Sequence, residues 1–174
     1  MGQTKNLINA AAVEKIRELA NAVDIAMFCT NLGAQPFSTC PMSTQQVEDD
    51  GTIWFFSGKD SDHNADLAKD SACQLIYSSK VGETDHLSLY GHAEVTFDRA
   101  KAEELFGTME KVWFPGGIDD PNFSMIRFTP KEGYYWDSKH GKMVSFAKML
   151  ASVVTGKQAD TGVVGKLEVA ENFN

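Results

Sequence analysis

Apolar side chains recur at Leu7, Ile8, Ala11, Ala12, Ile16, Leu19 and Ala20, the stripe of an amphipathic helix over residues 7–20. Asn21 to Asp24 break that stripe, and the apolar run at 25–30 predicts a first strand. Residues 36–42 predict a second, with Phe37, Thr39 and Pro41 on one face and Ser38, Cys40 and Met42 on the other. Pro41 assigns it an edge or irregular place in a sheet, because proline donates no ladder hydrogen bond. Glu48-Asp49-Asp50-Gly51 has hairpin-turn composition, and residues 52–57 form a strand apolar on both faces.

Ser61 is placed to cap a short helix running to about residue 69. Strands follow at 72–78 and 86–97, with a bulge or close backbone approach expected at Gly91. Asp98 caps a helix over 99–112, and residues 113–123 are a loop rich in Gly, Pro and Asp. Residues 124–129 and 133–137 predict two strands joined by a turn at Pro130-Lys131-Glu132-Gly133. A helix over about 142–155, ending before Gly156, and a strand at 166–169 complete the reading, with loose final residues. Short strands, frequent turns and few helices describe a mainly β protein, a small antiparallel barrel with peripheral helices.

A length of 174 residues fits one domain over 1–174 with a full core. The net charge of −8 argues against nucleic acid or an anionic membrane as a bulk-charge partner, since both need a basic face. Cys29, Cys40 and Cys73 are odd in number and lack Cys-x-x-Cys spacing. Reduced thiols in a cytoplasmic protein are therefore expected, not a disulfide framework or zinc site. The N-terminal sequence has no long apolar run of the signal or membrane-spanning type.

Four motifs carry a resemblance: GTIWFFS at 51–57, LYGHAEV at 89–95, WFPGGIDDPNF at 113–123 and YYWDS at 134–138. In order and spacing they resemble the general stress protein 26 family, within the FMN-binding split barrels of the pyridoxamine 5′-phosphate oxidase-like superfamily. The resemblance spans about residues 10–169. It implies a six-stranded antiparallel split barrel, a homodimer, and two FMN sites at the interface lined by both subunits.

The resemblance also assigns site residues. Family members have Arg-Pro-Met in the second strand, with the arginine on the flavin phosphate; here the triplet is Cys40-Pro41-Met42. Their Ser-x-Lys at the phosphate corresponds to Ser61-Asp62-His63. Phosphate then depends on backbone amides, Lys59 or a protonated His63, and losing two charged donors costs several kcal/mol at about 1.5–3 each. The isoalloxazine ring would be edged by backbone groups of Cys40 to Ser43 and of Phe55, Phe56 and Ser57. His86 falls where the superfamily often has glutamine, and Trp136 matches the aromatic that reaches the partner's flavin. The substrate-binding Arg-x-His of true pyridoxamine phosphate oxidases has no counterpart after Trp136, so that specific activity is rejected.

Each candidate also has a plainer reading. Trp54, Phe55 and Phe56 suit a core. His63 suits an exposed helix start, and Cys40 an inert half-buried thiol. His86 and His92 share a strand face without the further ligands a metal needs. Asp119 or Asp120 can bond its own turn. Trp113, Phe114 and Pro115 form an apolar loop, expected to pack on a dimer partner more than to cover a pocket. No Ser-His-Asp triad, glycine phosphate loop or carboxylate pair is present. The function expected is a flavin-dependent oxidoreductase in which FMN supplies the chemistry. The alternatives are a non-catalytic binder of a flavin, deazaflavin, haem or other small molecule on the same barrel, or a dimeric module acting through protein contacts.

Overall fold

The computed structural model describes residues 3–79, 85–137 and 163–170. Six strands hydrogen-bond in a closed antiparallel ring: β3 (Ile25–Thr30), β4 (Ser38–Val47), β5 (Ile53–Gly58), β8 (Phe123–Asp137), β7 (His86–Thr96) and β6 (Ala72–Ser78), which returns to β3. Closure removes the edges that an open sheet would expose. β9 (Val163–Glu168) extends the far half of β8, and the short β1 (Gln3–Thr4) and β2 (Leu7–Ile8) add to it in parallel.

Alternation along each strand fills the interior. Phe28, Phe55, Leu75, Tyr77, Leu87, Leu89, Phe128 and Tyr135 are at most 1% exposed and belong to one core. Helix α1 (Ala10–Val23) buries Ala12, Ile16, Leu19 and Ala20 in that core, and each Ile or Leu so buried contributes about 1.5–3 kcal/mol. Leu7 and Ile8, which the helical stripe included, instead form β2 against Leu167 and Glu168. Strand β5 is apolar on both faces because it serves two cores. Phe55 points into the barrel, while Trp54 and Phe56 pack outside with Phe114, Phe123 and Met125.

The turn expected at Pro130 is absent, and β8 runs unbroken for 15 residues. Gly91 pairs with Pro130 and Tyr90 with Glu132, so Lys131 is an extra residue, a bulge. A bulge tolerates the missing N–H of Pro130. The close approach expected at Gly91 is present, since a Cβ there would lie 2.2 Å from the Thr129 carbonyl oxygen.

The helix expected over 99–112 also divides. Helix α3 (Arg99–Leu105) is capped by the Asp98 carboxylate, as expected, and stops at Phe106, whose backbone is extended. Phe106 turns into the outer core, and a 3-10 turn follows at Met109–Val112. Helix α2 (Asp62–Leu67) starts at the predicted Ser61 cap, whose hydroxyl accepts from the Asn64 amide. The helix expected at 142–155 lies outside the described residues.

Candidate functional site

A cleft of about 540 Å³ opens on the outside of the barrel where β4, β5, the start of α2 and the 3-10 turn converge. Of the residues singled out from sequence, it brings together Cys40, Pro41, Met42, Ser43, Phe56, Ser57 and His63. These come from three elements up to 23 positions apart in the chain, a distance the hydrogen bond from Cys40 to His63 also spans. A bulge between Thr44 and Gln46 adds Gln45 to the wall.

The other cofactor-site residues that the resemblance assigned do not line this cleft. Phe55 is fully buried in the barrel, so only its backbone is near. Ser61 reaches the site through His63, and Asp62 opens α2 beside it. His86 and Trp136 pair with each other across β7 and β8. They stand on the outer sheet face, separated from β4 by β3 and β6. The His86 ring bonds Ser78 at 3.1 Å and the His92 ring bonds Ser71 at 3.0 Å, so these two histidines have different partners. Among the described residues, no three His, Cys, Asp or Glu side chains gather as a metal site.

Sequence reasoning missed most of the far wall. Met109, Glu110, Val112, Trp113 and Phe114 line the cleft. Met109, Val112 and Trp113 are 76%, 72% and 80% exposed, an unusual cost for such apolar groups beside a cavity. The Trp113 loop, for which covering a pocket was the second of two expectations, lines the cleft in its own subunit through Trp113 and Phe114. Its signal in the sequence was a polar-spaced apolar run next to Gly and Pro. Asp120 takes the plainer reading, with its carboxylate accepting the Gly116 and Asn122 amides.

The polar end of the cleft is a chain of hydrogen bonds whose directions can be assigned. Asn64 is buried and its amide lies 2.9 Å from the Gly58 carbonyl, which can only accept. That fixes Nδ2 on Gly58 and on the Ser124 hydroxyl, and leaves Oδ1 for the Ser57 hydroxyl at 2.9 Å. Ser57 therefore donates to Asn64 and accepts from His63 Nε2 at 2.7 Å. His63 Nδ1 is then the bare nitrogen, and it accepts the Cys40 thiol proton at 3.5 Å. Ser124 in turn donates to the Ser57 carbonyl.

Ionisation follows the same pattern. Burial against Phe28 lowers the His63 pKa, although the Asp62 and Asp66 carboxylates pull it back. Burial raises the Cys40 pKa, with the neighbouring Cys29 thiol adding to it. Both groups are neutral near pH 7, so Cys40 is a thiol and not a nucleophilic thiolate. Asp66 holds its proton loosely because Ser38 and Thr30 donate to it, and the Thr30 bond ties α2 to β3.

The cleft suits the flat part of a flavin and not its charged end. Its walls combine the apolar Met42, Phe56, Val112, Trp113 and Phe114 with strand backbone along β4. Its polar end carries no Lys or Arg among the described residues, and its one charged lining group is Glu110.

A closed six-stranded antiparallel barrel with a cleft on this flank defines a protein of the split-barrel class. The chain belongs to the pyridoxamine 5′-phosphate oxidase like family, whose model matches residues 11–160. The general stress protein 26 group is borne out within it. A putative general stress protein 26 from Jannaschia sp. CCS1 is 25% identical, with a TM-score of 0.73 over 91% of this chain and 99% of that one. A general stress FMN/FAD binding protein from the phytopathogen Xanthomonas citri is 25% identical, with a TM-score of 0.62 over 72% and 87%. A heme binding protein from Mycobacterium smegmatis shares the fold at 16% identity and TM-score 0.56, over 74% and 55%. No curated protein matches. Among the described residues, no helix is long and apolar enough to cross a membrane.

Proposed function

We propose that this chain binds a flavin in the cleft and acts as a flavin-dependent oxidoreductase at a homodimer interface. FMN is the cofactor that the family resemblance names. The observation that carries this reading is the convergence of Cys40, Pro41, Met42, Ser43, Phe56, Ser57 and His63 on one cleft with apolar walls. The FMN/FAD binding relative from Xanthomonas citri supports the same chemistry. A bound flavin would exchange hydride or electrons with its donors, while the chain orients the ring and excludes water.

The second subunit is supported by the outer sheet face. Met27 pairs with Pro41 and Ile76, Ile76 with Ser88, and Ser88 with Tyr134, one row across five strands. Ile25, Met27, Ile76, Tyr134 and Trp136 on this face are 40–51% exposed. Such a patch is costly in water and suits a second copy of the chain. Its apposition would bring Trp136 of one subunit toward the cleft of the other. Three unpaired thiols fit a reducing, cytoplasmic setting.

The test is the visible spectrum of the purified full chain after incubation with FMN or riboflavin and desalting. Retained flavin bands that a nicotinamide donor bleaches support flavin binding and the oxidoreductase role. Retained bands that no donor bleaches move the protein to the non-catalytic alternative, a flavin binder on the same barrel. Loss of both flavins on desalting refutes the flavin reading.

A further inference from the structure

The hydrogen-bond chain at the polar end of the cleft spends its own donors. The Cys40 thiol proton goes to His63, the His63 Nε2 proton to Ser57, the Ser57 hydroxyl to Asn64, and the Asn64 amide to Gly58 and Ser124. The order cannot be reversed, because it terminates on the backbone carbonyls of Gly58 and Ser57, which have no proton to give. The side-chain donors of Cys40, His63, Ser57 and Asn64 are thus spent within the protein, and a ligand arriving at Cys40 meets sulfur lone pairs.

A phosphate tail needs the opposite. Its oxygens carry about −1.5 to −2 charge at pH 7 and accept only. The charged groups that act on His63 are the Asp62 and Asp66 carboxylates; Glu110 is the charged residue of the cleft lining, and Lys59 lines a separate pocket beside Ser61 and Asn64. Helix α2 is only six residues long and supplies little dipole. A hydroxyl, by contrast, can donate to the Cys40 sulfur or to backbone carbonyls and needs no counter-charge.

Resting on the flavin reading above, we infer that the cleft selects a flavin whose side chain ends in a neutral hydroxyl, riboflavin being the simplest, over one that ends in phosphate. The Cys40–His63 pair is then a specificity element that excludes the dianion.

The experiment compares riboflavin and FMN on the wild-type full chain by titration calorimetry at pH 8 and fixed ionic strength. At that pH the phosphate is fully dianionic and His63 is neutral. Riboflavin is expected to bind at least tenfold more tightly, a difference of about 1.4 kcal/mol. The double variant C40R/H63K should reverse the order, since it supplies two cations at the same place. The wild-type comparison decides the matter even if that variant does not fold. FMN binding as tightly as riboflavin, or more tightly, overturns this inference and leaves the flavin reading standing. Failure of both ligands to bind overturns both.

Discussion

Asn64→Ala is the substitution that most directly tests how the cleft is built. Asn64 is 6% exposed and joins α2 to β5 and β8 through three hydrogen bonds: to the Gly58 carbonyl at 2.9 Å, to Ser124 Oγ at 3.0 Å and from Ser57 Oγ at 2.9 Å. Alanine leaves the Gly58 carbonyl and the Ser57 hydroxyl short of partners in a buried place. Each bond lost contributes about 1 kcal/mol net, which puts the destabilisation at about 3 kcal/mol. For a chain of this size, each kcal/mol moves the melting temperature by about 2–4 °C, so the expected drop is about 6–12 °C. Differential scanning calorimetry at matched protein concentration reads it directly. Asn64→Asp is nearly isosteric but points a carboxylate oxygen at the Gly58 carbonyl, so at pH 7 it should destabilise at least as much. A drop under about 2 °C for Asn64→Ala, or an Asp variant as stable as wild type, would refute the assigned bond directions. The inference about flavin tails would lose its basis with them.

Trp113 is 80% exposed on the cleft rim, so Trp113→Ala should leave the melting temperature nearly unchanged. It should weaken flavin binding about two- to tenfold, from loss of about 0.5–1.5 kcal/mol of ring contact. Unchanged affinity in a fluorescence titration would remove Trp113 from the site. Ile76→Lys puts a charge in the centre of the exposed sheet row, so light scattering should show a monomer where the wild type is a dimer. A wild-type monomer, or a variant dimer of equal affinity, counts against the proposed interface. The His63 pKa is lowered from its ordinary 6.5, so the unfolded chain takes up the proton first as pH falls. The stability due to neutral His63 is fully present above pH 6.5 and is lost as pH falls through that value toward the lower folded pKa. Melting curves from pH 8 to pH 5 should therefore fall more steeply for wild type than for His63→Gln. Parallel curves would show that His63 titrates as it does in the unfolded chain.

Most of the barrel was legible in the sequence because strands announce themselves locally. The runs at 25–30 and 72–78 match β3 and β6, and the Glu48–Gly51 turn and the caps at Ser61 and Asp98 lie where composition put them. The misreadings came where a partner overrode local preference. Pro130 and Gly133 resemble a turn, yet the ladder with β7 carries the chain straight through by bulging at Lys131. Leu7 and Ile8 fit a helical stripe, yet β9 captures them as a strand.

The site divides the same way. Sequence by itself determined most of the barrel strands and the family resemblance, which sets Cys40 and His63 where relatives are expected to carry arginine and lysine. Periodicity suffices for the strands, and the four motifs carry the family resemblance and the exchange it implies. Only the tertiary structure decided that the Trp113 loop rims the cleft and that His86 and Trp136 stand apart from it on the outer sheet face. It alone decided which way the protons run between Cys40 and Asn64. That direction is set by the Gly58 carbonyl and by Ser124, 60 residues beyond Asn64, which no local pattern couples. Hydrogen bonds acquire an order only when every donor and acceptor in the chain is in place.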